Sequence, residues 1–508
     1  MQRSVEDFDV VVIGGGPGGS TAATILAMQN HRVLLLERDK FPRYQIGESL
    51  LPATVHGICK ILGLSEELKK AGFVRKLGGT FRWGTNPEPW TFAFSTASAI
   101  AAPKAYAYQV ERSKFDDLLL RNATRNGVDV REQHSVKEIL FESGRACGVE
   151  FMDASGNTLK ATAKYIIDAS GNTSHVYKKV GERIYSNFFQ NLALFGYYEN
   201  AERFPPPRDG NIFCAAFKEG WFWFIPLSDK LTSVGAVISK EHGDYLKGGY
   251  EEAMKHFIAS CPEITRLLAK AHRVTEGDYG QLRVRKDWSY SNERFWVPGL
   301  VLVGDAACFI DPVFSSGVHL ATYSALLAAR SINSILNDGM DETRCFEEFE
   351  KRYRREFRNF YEFLAAFYDM HQNEDSYFWK ARKVLNSQQP TDEAFVSLVA
   401  GISSLQEEDL LVDKPQIDRI KEELRQLSPE ENNKETAAPY FADEKEAFLD
   451  VLVEEAVQLQ TQASVGAKRG EEKPLFEGGL IPSADGFRWR EVTPQLATSD
   501  ELSFVGVP

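Results

Sequence analysis

Apolar positions along the chain follow two distinct patterns. Unbroken short runs occur at "DVVVI" (Asp9–Ile13), "RVLLLE" (Arg32–Glu37) and "LVLV" (Leu300–Val303), as expected of parallel strands covered on both faces. Between the first two lies an Ala-rich stretch, about Gly18 to Gln29, which predicts a helix closely packed on a sheet. Residues 41–70 read as a loop followed by helices. Residues 78–110 and 183–290 instead show short alternating segments with turns such as "RFPPPRDGN" and "SVGAVISKEHGD", which predict a mostly antiparallel sheet inserted into the first unit. A helix is expected from about Ser315. Beyond Asn337 the pattern turns helical, over 341–385 and 392–427, then polar over Leu427–Glu446, as in a mobile linker. An amphipathic helix, Ala447–Gln460, and an irregular tail complete the chain. The resulting division is a core over 1–340 and a mostly helical region over 341–508.

One stretch breaks the usual alternation. "GWFWFIP", Gly220–Pro226, places Trp221, Trp223 and Ile225 on one face of a strand and Phe222 and Phe224 on the other. Both faces are bulky, so the strand is expected to be buried on both sides. It can be a heavy core strand, or an aromatic wall beside something reactive.

Composition narrows the options. The 508 residues, 43% hydrophobic and 26% charged, describe an ordinary globular protein of two or three units. A net charge of −13 leaves no excess of Lys and Arg for a nucleic-acid partner. Six scattered cysteines without CxxC pairs or metal spacing fit reduced thiols in a cytoplasmic protein, with no metal site. No apolar stretch reaches 18 residues, so no membrane span is expected. The basic cluster "KRYRREFR", Lys351–Arg358, reads as a solvated helix face or as a docking patch for an acidic partner.

Candidate chemistry begins at Gly14-x-Gly16-x-x-Gly19, between a strand and a helix. Such glycines let the backbone approach a pyrophosphate at the helix N-terminus. Glu37 ends the next strand, 18 residues after Gly19, where its carboxylate can accept from a ribose hydroxyl. Gly304-Asp305 in "LVLVGDAACFIDP", Arg112 in "YQVERSKFDDLLLRNA" and "YIIDASG" (Tyr165–Gly171) resemble, in order, motifs of the two-domain flavoprotein monooxygenases. That resemblance implies an α/β fold: a Rossmann-like FAD-binding domain of the p-hydroxybenzoate hydroxylase type, with an inserted antiparallel β-sheet and a helical C-terminal region. It also implies FAD held by Gly14, Gly16, Gly19, Glu37, Arg38, Glu48, Arg112, Gly304 and Asp305.

Within that superfamily, "GWFWFIP" resembles the W-x-W-x-I-P motif of flavin-dependent halogenases, and "ERDKFPRYQIGESLLP" (Glu37–Pro52) resembles their version of that region. The resemblance implies that Trp221 and Trp223 keep the organic substrate away from the flavin, where chloride is oxidised to hypochlorous acid. Lys76, in "VRKLGGTFRWG", aligns with the family's essential lysine; a lysine against an apolar channel can titrate low and act as a nucleophile. Ser316 and Gly317, in "DPVFSSGVHLA", open a helix whose N–H groups suit an anion, and the resemblance implies that chloride binds there. Tryptophan halogenases carry a glutamate in this loop, and the matching residue here is Phe314. The chain therefore resembles the branch acting on phenols and pyrroles, often tethered to a carrier protein, and in particular halogenases of the chondrochloren type acting on tyrosyl groups in natural-product pathways.

No second GxGxxG occurs, so the resemblance implies reduced FAD from a separate flavin reductase. His56 and His319 read as structural histidines. Three other readings stay open: a geranylgeranyl-reductase-like enzyme, an aromatic hydroxylase, and a flavin-binding scaffold without catalysis. Ile225 and Lys76 favour the halogenase.

Overall fold

The computed structural model describes residues 6–83, 88–94, 106–369, 474–476 and 478–491. The three unbroken apolar runs become parallel strands of one sheet. Strand Glu6–Ile13 lies between Thr158–Asp168 and Val33–Leu36, with Leu300–Leu302 beyond the first and Asp129–Arg131 beyond the second. Val10, Val11 and Val12 pair with Val33, Leu34 and Leu35, and all six are essentially inaccessible. Each such side chain contributes roughly 1.5–3 kcal/mol by leaving water. Helix Pro17–Met28 covers this sheet and packs against the long helix Gly317–Asp338. Small residues make that approach possible: a Cβ on Gly18 would lie 3.2 Å from the Ala321 carbonyl oxygen.

The second sheet runs, in order, Cys308–Phe309, Arg283–Asn292, Arg183–Glu199, Leu231–Ser239, Gly220–Pro226, Ile212–Phe217, Gly78–Arg82 and Trp90–Ala93. It is antiparallel except where Ile212–Phe217 runs parallel to Gly78–Arg82. Only part of the expected 78–110 insertion joins it, because Ala107–Gln109 pairs with Val74–Lys76 in a separate ribbon. In the middle, Gly220–Pro226 is buried at every position. Trp221, Trp223 and Ile225 face the main core. Phe222 and Phe224 face a second cluster closed by Phe257, Ile264 and Leu267 of helices Tyr250–Ala259 and Pro262–Leu267. Period-two alternation thus splits one strand between two apolar layers.

Helix Glu342–Asp369 turns a stripe of Tyr353, Phe357, Phe360, Leu364 and Tyr368 inward, the three-to-four spacing of one helical face. The tail expected to be irregular contains a short hairpin, Ile481–Pro482 with Trp489–Arg490. It docks on the long helix through buried Trp489, whose indole N–H donates to Ser331 at 2.9 Å. The helix expected over 392–427, the linker 427–446 and the helix Ala447–Gln460 lie outside the described residues. All six cysteines are free thiols, five of them buried. Among the described residues no helix is long and apolar enough to cross a membrane, and no group of three or more His, Cys, Asp or Glu could hold a metal ion.

Candidate active site

A cavity of about 520 Å³ is lined by residues of both large sheets. At one end stands the glycine loop. Gly14 has φ +98°, and a Cβ there would lie 2.6 Å from the Ala169 carbonyl oxygen; one on Gly19 would lie 1.9 Å from the Gly14 oxygen. Those two glycines are demanded by the fold. Gly16 differs, since its Cβ would meet only an Arg43 guanidinium nitrogen at 3.5 Å. Packing leaves room there, and close approach by a phosphate group is what a side chain would obstruct.

Glu37 accepts from the Gly15 N–H at 2.6 Å and the Asp39 N–H at 2.7 Å while lining the cavity, so its carboxylate stiffens the loop and keeps lone pairs for a ligand. Arg38 stands at the rim, where its guanidinium reaches the Thr173 hydroxyl at 3.3 Å. Arg112 is buried and held in place by Asp116, with bonds of 2.7 and 2.9 Å. It also donates to the Ile46 carbonyl at 2.5 Å, clamping the segment that carries Glu48. Glu48 is 2% exposed; burial pushes its carboxyl up to about 7, against the pull of the Ser233 and Tyr197 hydroxyls. Gly304 and Asp305 line the same cavity. Burial raises the Asp305 carboxyl, opposed by Arg285, Arg112 and Arg183.

Two lining residues carried no clear signal in the sequence. Arg43 reaches the glycine loop while paired with buried Asp116 at 3.2 Å. Asp287 is 4% exposed, lines the cavity, and neither carboxylate oxygen has a hydrogen-bond partner among the described residues. Burial raises its pKa, reinforced by the neighbouring Asp311. Its only hint was the charged alternation Arg283, Arg285, Asp287 along a strand whose neighbours are apolar. A glycine cradle with positive charge beside it, and orphaned acceptors further in, fit a ligand with phosphates at one end and hydroxyl and N–H donors at the other. FAD is such a ligand.

The aromatic wall closes the inner end. Trp221, Trp223 and Ile225 line the cavity, and the two indoles lie 6.2 Å apart at 55°. The Trp223 N–H donates to Ser233 at 3.1 Å and the Trp221 N–H to the Tyr368 hydroxyl at 2.8 Å. Behind Ser315, which lines the cavity, stands Lys76, 2% exposed. Its ammonium donates to the Leu50 carbonyl at 3.1 Å and to Ser315 Oγ at 3.3 Å, with the Phe94 ring centroid 5.6 Å away. Burial lowers its pKa to about 7. Without a carboxylate among these contacts, charge on this amine is poorly compensated.

Ser316 precedes helix Gly317–Asp338; Gly317 lines the cavity and Ser316 is buried behind it. Ser315, with φ +61°, makes the bend that puts its hydroxyl toward Lys76. Phe314 faces Phe81 at 6.5 Å. His319 is fully buried, bonded to Glu356 at 2.8 Å and stacked on Tyr323, while His56 bonds the Tyr106 carbonyl at 2.8 Å.

At two of its arginines the basic cluster departs from both expectations. Arg354 is buried, donating to Ser291 at 3.2 Å and to the Asn292 and Glu293 carbonyls at 3.0 and 2.7 Å. Arg352 is tied to the Leu480 carbonyl at 2.7 Å. Two of its arginines are interior clamps, not a solvated face or docking patch.

The sequence profile described as tryptophan halogenase matches residues 9–104 and 96–416. A tryptophan 2-halogenase of Chondromyces crocatus is 34% identical over 408 residues, covering 78% of this chain and 76% of that protein. A flavin-dependent halogenase, armH4 of Armillaria mellea, is 34% identical over 387 residues and 72% of each chain. Among solved structures, the myxobacterial chondrochloren halogenase CndH superposes with a TM-score of 0.76 at 54% identity, covering 96% of this chain and all of the other. The flavin-dependent halogenase CmlS superposes with a TM-score of 0.73 at 29% identity, covering 96% of this chain and 84% of its own. The chain therefore belongs to the tryptophan halogenase family and is a flavin-dependent halogenase, an oxidoreductase.

Proposed function

We propose that the cavity binds FAD in the hydroxylase-type arrangement through the glycine loop, Glu37, Arg38, Glu48, Arg112, Gly304 and Asp305. With reduced FAD from a separate reductase, O2 and chloride, the enzyme chlorinates an activated aromatic ring. The ring is a tyrosine-like phenol, borne on a carrier protein or within a peptide. Residues 1–340 form the catalytic core, and 341–508 form the substrate and partner region.

The observation that carries this reading is Lys76, a buried amine titrating near neutrality one hydrogen bond from the cavity wall. Reduced FAD, when bound, supplies the electrons that activate O2 for oxidation of chloride, held near Ser316 and Gly317, to hypochlorous acid. In its neutral form the Lys76 amine attacks the chlorine, forming an N–Cl bond and losing a proton as water departs. The ring carbon then takes the chlorine, the electron pair returns to nitrogen, and the nitrogen regains a proton as the ring loses one. Trp221 and Trp223 hold the ring away from the flavin side. Phe314, in place of a carboxylate, leaves the ring itself to supply the reactivity, which favours a phenol. A free indole, as in the name of the Chondromyces relative, is the alternative.

The test is chlorinated product, by mass spectrometry, from FAD-loaded enzyme, a flavin reductase, NADH, air and chloride, offered a tyrosyl-loaded carrier or free tryptophan. Product on the tyrosyl group that disappears in Lys76→Ala supports the proposal. Peroxide alone from every substrate, unchanged in the variant, refutes it and returns the reductase and scaffold readings.

A further inference from the structure

Trp221 is anchored by a residue far outside the motifs, Tyr368 near the end of helix Glu342–Asp369. The phenol is 1% exposed and its oxygen lies 2.8 Å from the Trp221 indole nitrogen and 2.8 Å from Asp311 Oδ2. An indole N–H can only donate. The phenol oxygen must therefore accept from Trp221, and its single proton is committed to Asp311. Asn191 donates to the same Asp311 oxygen at 3.1 Å. The other oxygen accepts from the Val313 N–H at 3.1 Å, at the start of the turn leading to Ser315 and so to Lys76. One carboxylate and one phenol thus fix both the first tryptophan of the wall and the loop that carries the lysine's partner. The Tyr368 ring also meets Trp83 at 5.7 Å and Phe189 at 5.3 Å, both edge-on, while Trp83 lies 6.4 Å from Trp221.

We infer that Tyr368 is a positioning residue for halogenation: itself anchored by Asp311, it holds Trp221 in place in the wall, so that oxidised chloride reaches the substrate and is not lost. The inference rests on the roles proposed above for Trp221 and Lys76. It gives helix Glu342–Asp369 a part in placing the wall without requiring it to touch the reacting atoms.

Two measurements on full-length, FAD-loaded protein test it. The first is the Trp221 indole N–H resonance, assigned by its loss in Trp221→Phe; Tyr368→Phe keeps the ring and should move that resonance as its acceptor disappears. The second is coupling, the chlorinated product formed per NADH consumed with reductase present. Coupling should fall about tenfold in Tyr368→Phe, the scale of one lost buried hydrogen bond. The Tyr368→Phe/Trp221→Phe double variant should lose no more than Trp221→Phe alone. A resonance that stays in place, or losses that multiply in the double variant, overturns the inference. So does a lower melting temperature with coupling intact, because that is a structural role only. Should wild type yield no chlorinated product, the functional proposal fails first, and the resonance still decides whether Tyr368 anchors Trp221.

Discussion

Gly235 lies directly across the sheet from Trp223, and a Cβ there would come within 2.2 Å of the indole Cζ2. The ring lies flat over the bare glycine backbone. Gly235→Ala should therefore push Trp223 off its bond to Ser233 and out of the wall, destabilising the protein by roughly 1–3 kcal/mol as overpacking does. FAD affinity should change little while product per NADH falls. A variant with wild-type coupling would show that the ring can shift without consequence.

The lowered pKa of Lys76 fixes a direction for stability against pH. An unfolded lysine keeps its proton up to about 10.4, whereas the folded one loses it near 7. Between these values the unfolded state binds more protons, so this residue makes stability rise with pH. Below pH 7 both states are charged and the burial penalty is fully present. Replacing Lys76 with Met should raise the melting temperature most at pH 6, with the advantage shrinking toward pH 10. A constant difference across that range would mean that the amine stays charged when folded. Product formation by wild type should climb between pH 6 and 8, as the neutral amine accumulates.

Glu48 carries the opposite sign. Its folded carboxyl titrates near 7 and its unfolded one near 4.3, so between these values the folded state holds the extra proton and stability falls as pH rises. Glu48→Gln, which imitates the protonated form, should stabilise the protein at pH 8 more than at pH 5. Thermal melts of the FAD-free protein at both values decide it. Equal effects would place the Glu48 proton outside this window.

Legibility from sequence followed the range of the forces involved. Gly14 and Gly19 were readable because a strand–turn–helix motif compresses its requirements into six residues. The facing of Trp221 against Phe222 followed from strand periodicity alone. Tyr368 was not readable as the partner of Trp221, nor Asp311 as the partner of Tyr368, because these contacts join positions 147 and 57 residues apart, set by how a helix crosses a sheet. Asp287 looked like any charged strand residue; only the sheet's placement turned it into the cavity. Lys76 was visible through family resemblance, yet its burial depends on Phe94, Leu50 and Ser315 arriving from three other segments.

The basic cluster supplies the sharpest contrast between sequence and structure, because charge in a sequence suggests water while Arg354 lies in the interior. Its guanidinium bonds two backbone carbonyls and the Ser291 hydroxyl, pairs with Glu350 at 2.6 Å, and stacks 4.0 Å over the Phe295 ring. Those bonds tie the helix to the strand end at Asn292, on which Tyr353 and the rest of the inward stripe depend. Arg354→Glu would place a carboxylate against carbonyl oxygens and Glu350, a loss of roughly 3–5 kcal/mol for a broken buried pair. Neighbouring Lys351 is exposed, and Lys351→Glu should shift stability by no more than about 0.5 kcal/mol. Thermal melts of the two charge reversals separate a clamp from a docking patch. A clamp lowers the melting temperature in Arg354→Glu and impairs tethered and untethered substrates alike, with Lys351→Glu silent. A docking patch would leave both melts unchanged and weaken only the tethered substrate in both variants.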